Sequence, residues 1–249
     1  MLSYCTIIIV VKIEVDYMQT IDKVKSAGLA KFTSLVYLYT GLGIAFWMIS
    51  AQAIANNQAF SMAIFQGMAQ HRIISMILMI GIPIAFISLC GHFATRSYFL
   101  TFLSYLAFLF TLSFIGVPIF YIYSARSIVQ MLSLTSVVFV VSAAIGFFTK
   151  KDLMKWNRTL MIGIISIIAI EAINLLIFKS TPLMMLVSAA IVILFLFYIA
   201  FDSQNIKRIY QNNSTSNSLG AIALLASVTL VLDFINVFLS LLQLFGDNN

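Results

Sequence analysis

The sequence predicts an all-α fold: a polytopic bundle of seven transmembrane helices, with the seventh helix at its centre. Four observations predict it. Of 249 residues, 62% are hydrophobic and 9% charged, whereas a soluble domain carries roughly 25% charged residues. The apolar runs approach the roughly 20 residues that a spanning helix needs. Phe is abundant (22) and Pro scarce (3), which fits continuous helices and not the roughly ten-residue alternation of a membrane β-barrel. Finally, the basic residues collect in every second break between the runs, the pattern that sets orientation in a bilayer.

The elements follow in order. Residues 1–31 form an expected cytoplasmic N-terminal segment, and residues 32–246 the transmembrane domain. Within residues 1–17, LSYCTIIIVV is too short to span and has neither a basic leader nor a cleavage site. It reads as an upstream extension, with Met18 opening a conventional basic lead into the first span. The spans are expected at 32–54, 73–93, 98–121, 128–148, 159–178, 183–201 and 219–245. Between the last two, SQNIKRIY can continue the sixth helix, whereas QNNSTSNS is polar and turn-rich, as a loop should be.

Charge gives the orientation. Lys12, Lys23, Lys25, Lys31, Arg96, Lys150, Lys151, Lys155, Arg158, Lys207 and Arg208 fall on one side of this scheme, and Arg72, Arg126 and Lys179 on the other. Eleven against three places the N-terminus in the cytoplasm and the C-terminus outside. The expected location is therefore multi-pass in a plasma or inner membrane, with lipid as the principal partner and no nucleic acid or small-molecule cofactor.

Two aspartates interrupt this apolar sequence: Asp202 in FLFYIAFDSQNIKRIY and Asp233 in ASVTLVLDFINVFLSLLQLFG. A carboxylate at bilayer depth costs several kcal/mol unless it is paired, hydrated or protonated. Asp202 ends its run and reads equally as a solvated helix-end residue. Asp233 is deep in its helix, Asn236 at i+3 and Ser240 at i+7 extend a polar stripe along one face, and Ser227 and Thr229 lie upstream. Glu171 lies twelve residues into the fifth span with Asn174 at i+3, either a neutral acid bonded to a neighbour or a second polar station. Asp233 is about 21 Å from the start of its helix at 1.5 Å per residue. The two aspartates meet only if the sixth helix runs on through Tyr210 and the seventh starts late or tilts. If they meet, they cannot both ionise comfortably and titrate as one unit. Two carboxylates are too few for tight Ca²⁺ binding, so a calcium site there would be weak and permeation-like.

Several chemistries have no residues to support them. His71 and His92 both sit at span ends and are too few for a three-histidine zinc site. There is no Gly-x-Ser-x-Gly motif and no phosphate-binding glycine loop. Cys5 and Cys90 make no disulfide framework. No enzyme is expected.

The last two spans resemble the Bax inhibitor-1 (transmembrane Bax-inhibitor-motif) family, bacterial type. FYIAFDSQNI is similar to its Tyr-x-x-x-Asp-x-x-x-Ile ending of the sixth span, and LVLDFINVFLSLLQLFG to its Leu-Asp-Phe-Ile-Asn-x-Phe signature. GFFTKKDL at 146–153 resembles its Lys-Lys-Asp-Leu loop. The resemblance implies a proton-sensitive Asp202–Asp233 pair closing a calcium-conducting path at its cytoplasmic end, with Arg96 as the candidate partner of the pair. It equally admits a non-conducting regulator that binds a membrane protease or a cell-death partner. A proton-coupled transporter is a third reading. Three features depart from the pattern: a longer loop between the motifs, Gln243 where an arginine is common, and Glu171.

Overall fold

The computed structural model describes residues 2–247, and side chains in its first helix from Ala27. The expectation for residues 1–17 falls outside those described side chains. The helices are α1 (Leu2–Asn56), α2 (Gln58–Gln70), α3 (Arg72–Phe93), α4 (Tyr98–Gly116), α5 (Ile119–Ile122), α6 (Ala125–Phe148), α7 (Asn157–Ile173), α8 (Thr181–Asn213) and α9 (Leu219–Phe245). A 3₁₀ turn, Leu153–Trp156, precedes α7, and a π turn, Asn174–Phe178, follows it. Among the described residues, six segments are long and apolar enough to cross a membrane: Ala27–Asn56, Tyr98–Ile122, Ala125–Phe148, Leu153–Glu171, Thr181–Asn213 and Leu219–Phe245. Gly81–Phe93 of α3 is a shorter apolar stretch.

The all-helical class and most span positions agree with the sequence reading; one element is new, and the sixth helix takes the longer of the courses open to it, a few residues past Tyr210. Helix α2 lies in a stretch read only as a break. Its start is marked by Asn57, whose side chain accepts from the Phe60 backbone N–H at 3.1 Å, a standard N-terminal cap. The sixth helix, expected to end its span at 201, continues as α8 to Asn213. The run SQNIKRIYQNN carries no Gly or Pro to stop it, so only Ser214–Ser218 remain as the connection to α9.

Helix α9 is the centre of the bundle. It packs against α1, α3, α4, α6 and α8, and 72% of its most apolar window is buried. Small residues at one end, Ala221, Ala223, Ala226 and Ser227, let neighbouring backbones approach closely. Between α1 and α4 the contact is zipped by side chains reaching backbone carbonyls. Trp47 Nε1 donates to Leu112 O at 3.0 Å, Ser113 Oγ to Trp47 O at 3.2 Å, and the Tyr105 hydroxyl to Tyr39 O at 2.9 Å. With no water in the hydrocarbon core, such bonds have few competitors. On the other flank, Gly146 lets α6 press directly on the backbone of Ala200 in α8; a Cβ there would collide with the Ala200 carbonyl.

The basic segments share one end of the bundle. Phe32 of α1 meets the ring of Tyr210 near the end of α8. The Ser218 hydroxyl donates to Thr95 O after α3 at 3.4 Å. Gln204 Oε1 accepts from Leu153 N at 2.7 Å, and its Nε2 donates to Lys151 O at 2.8 Å. At the opposite end the Tyr121 hydroxyl donates to Ala55 O at 2.6 Å, and Asp247 N donates to the Ser127 hydroxyl at 3.0 Å. The Lys31 end of α1 and Asp247 therefore lie at opposite ends of the molecule.

Candidate functional site: an acid pair between two cavities

The extension of α8 brings the two aspartates to one level. Asp202 is eleven residues before Asn213, and Asp233 fourteen after Leu219. At 1.5 Å per residue these are about 16 and 21 Å from a short connection, so neither the late start nor the tilt considered for the seventh helix is needed. The carboxyls are close enough to interact directly, and the Thr229 hydroxyl lies beside Asp202. Asp233 is 4% exposed, and its Oδ2 has no hydrogen-bond partner in the protein.

Two cavities meet at this point. One, of about 390 Å³, lies between α7, α8 and α9, and its polar lining is Glu171, Tyr198, Asp202, Thr229, Asp233 and Asn236. The other, also about 390 Å³, lies between α3, α8 and α9 on the side of the basic end, with Thr95, Asp202, Asn205, Asn213 and Thr229 as its polar lining. Asp202 and Thr229 line both. They lie where the two cavities adjoin, and Asp233 lines only the first cavity. This explains why Thr229 is exposed in the middle of an otherwise buried helix.

The remaining candidate residues are placed as follows. Glu171 lines the first cavity together with the pair. Asn236 lines it too, with its Nδ2 donating to Leu232 O at 2.8 Å, so the amide oxygen is what it can offer a cation. Ser240 is buried about two turns beyond Asp233, away from the residues lining that cavity. Arg96 is exposed and hydrogen-bonded to the His92 ring at 2.8 Å, and it lines neither cavity beside Asp202. Among the described residues no group of three or more Asp, Glu, His or Cys side chains converges as a metal site. Glu171, Asp202 and Asp233 line one cavity in common.

Tyr198 and Thr229 each precede an aspartate by four residues, the spacing that shares a helical face; the first belongs to the Tyr-x-x-x-Asp motif and the second to the polar residues upstream of Asp233. Two ties escaped the sequence reading. The extension of α8 clamps its surroundings: Lys207 donates from Nζ to Phe147 O at the end of α6 and sits 4.4 Å from the centre of the Phe147 ring. Ser188 Oγ donates to Gln243 Oε1, tying α8 to α9 near the opposite end. Only tertiary structure reveals these two ties.

Fold and site together define a multi-pass integral membrane protein whose central helix holds a buried acid against a second acid. The chain belongs to the family described as "Inhibitor of apoptosis-promoting Bax1", whose profile matches residues 29–249; the motifs around Asp202 and Asp233 resemble this same family. It is similar to an uncharacterised membrane protein of Streptococcus pyogenes, 36% identical over 141 residues, 56% of this chain and 58% of the relative. Inner membrane protein YbhL of Escherichia coli is 34% identical over 131 residues, 52% of this chain and 56% of YbhL. The matched segment thus spans little more than half of those two relatives. An uncharacterised protein of Borreliella burgdorferi is 31% identical over 218 residues, 87% of this chain and 91% of its own length.

Proposed function

We propose that the chain is a proton-sensitive cation leak, calcium-preferring, gated by Asp202 and Asp233. The observation that carries this reading is the septum: two mainly apolar cavities, each with a few polar residues, share Asp202 and Thr229 at the level where the two carboxyls meet. A proton shared between the carboxyls would hold α8 to α9 and keep the septum shut. Its loss leaves two like charges facing each other in a poorly solvated site, which repel and loosen the contact. The same oxygens, now bare, suit a hard cation such as Ca²⁺. With so few ligands, binding stays weak enough for passage. Glu171 and Asn236 would serve as stations on the far side, and Asn205 and Asn213 on the basic side.

In this reading α3 is a seventh span, the basic end is cytoplasmic, and the membrane is a plasma or inner membrane. Reporter fusions at residue 155 and at the C-terminus should then report opposite sides. Both on the cytoplasmic side would mean an even number of spans.

The deciding experiment is calcium flux into proteoliposomes across pH, for wild type and Asp233→Asn at matched incorporation. Flux in the wild type with a pH dependence that Asp233→Asn removes supports the proposal. Absence of flux from monodisperse, correctly inserted protein would favour the rival reading, a non-conducting regulator of a membrane protease or cell-death partner.

A further inference from the structure

A third cavity, unconnected with the acid pair's chemistry, opens sideways between α1 and α6. These helices flank a groove of about 560 Å³, within the roughly 300–1,000 Å³ of pockets that hold small molecules. Its walls include Thr33, Tyr37 and Gly41 of α1 and Phe139, Ala144 and Phe148 of α6, and Phe234 of α9 forms part of its floor. Along α1 the lining runs from Thr33 to Ile44, about 16 Å at 1.5 Å per residue. That is about half of a 30 Å hydrocarbon core, the depth of one leaflet. The groove has a charged end. Lys31 lies two residues before Thr33, Lys150 and Lys151 just after Phe148, and all three are exposed. At the same end Thr33 Oγ1 is buried without a hydrogen-bond partner.

We propose that this groove binds an anionic phospholipid, with one acyl chain along α1 and α6 and the headgroup held by Lys31, Lys150 and Lys151. An apolar trough one leaflet deep fits an acyl chain, and lysines at its mouth attract a negative headgroup. The site does not depend on ion conduction. It does touch the central helix, because Phe234 follows Asp233 and packs edge-on against Phe139 at 5.7 Å; an occupied groove therefore contacts α9 at the residue next to the buried acid.

The test uses the full chain in phosphatidylcholine nanodiscs doped with phosphatidylglycerol carrying a photoreactive acyl chain, or with phosphatidylcholine carrying the same chain. Cross-links are mapped by mass spectrometry. The glycerol probe should label residues 33–44 and 136–148 in preference to the lipid-facing surface of α7, and the choline probe should not. Gly41→Leu should abolish that labelling by filling the groove; a side chain at Gly41 meets nothing within 4 Å, so the fold should tolerate it. Gly81→Leu on α3, equally unobstructed, is the control and should leave labelling intact. Lys150→Gln with Lys151→Gln should bring the glycerol probe down to the choline level. Equal labelling by both probes, or labelling that survives Gly41→Leu, would each overturn the proposal.

Discussion

Asp233 and Glu171 both sit in apolar helices that the sequence makes look alike, yet the molecule treats those helices in opposite ways. Of the most apolar window of α9, 72% is buried; of the Leu153–Glu171 stretch, 6%. Helix α9 touches five other helices, whereas α7 leans mainly on α8. Asp233 consequently has only its cavity and Asp202 for company, and one of its oxygens is left unpartnered. Glu171 reaches the same cavity from an exposed position at its edge. Hydropathy ranks both helices as spans. Packing sets the acids apart, and in the proposed leak it would make Asp233 the lock and Glu171 an influence on what enters.

The strongest test of that contrast is the acid pair itself. Asp202→Asn and Asp233→Asn should each abolish or shift the pH response of flux, and the double variant should resemble the stronger single one, because directly coupled sites do not add. The sign follows from the shared proton: wild-type flux should be low where the pair holds it and rise as pH increases past the point where it is lost. An amide cannot give up that proton, so the rise should disappear. If Asp202→Asn leaves the profile unchanged while Asp233→Asn alters it, the pair is not a unit and Asp233 is a solitary buried acid.

Much of this was legible in the sequence. Apolar runs and charge alternation located the spans because bilayer thickness and the cost of buried charge act on composition directly. Asp233, Asn236 and Glu171 could be picked out because polar atoms in hydrocarbon need a reason. The height of Asp202 was not legible, because it depends on whether SQNIKRIYQNN stays helical, and such a polar run is acceptable as helix or loop. The septum was not legible either: Thr229 could be seen as a polar residue upstream of Asp233, but its place between two cavities depends on how α3, α7 and α8 surround it. Nor was the surrounding of Arg96, whose guanidinium is hydrogen-bonded to the His92 ring.

The burial contrast predicts a stability difference. Ala223 on α9 is 0% exposed and Ile165 on α7 is 61% exposed. Ala223→Phe must force apart helices packed on it, and overpacking of this kind costs about 1–3 kcal/mol, sometimes more. Ile165→Phe only exchanges one lipid-facing side chain for another and should fall within about 0.5 kcal/mol of wild type. Thermal unfolding in detergent, followed by size-exclusion recovery, checks both. Equal tolerance at the two positions would mean that α9 is not the centre of the folded bundle.

The smallest expected effect belongs to Glu171. Its carboxyl lines the cavity without reaching the septum, so it should raise the local concentration of cations without setting the gate. An exposed charge interaction is typically worth about 0.2–1 kcal/mol, which corresponds to a loss of flux of up to about fivefold in Glu171→Gln. Because such interactions are screened over roughly 8–10 Å at moderate ionic strength, the loss should shrink as salt is raised, and the pH midpoint should stay where the aspartate pair puts it. A Glu171→Gln variant with an altered pH midpoint would show instead that the acid on the exposed helix is coupled to the buried pair. The division between a lock on α9 and an entry station on α7 would then fail, and all three carboxyls would have to be treated as one titrating cluster.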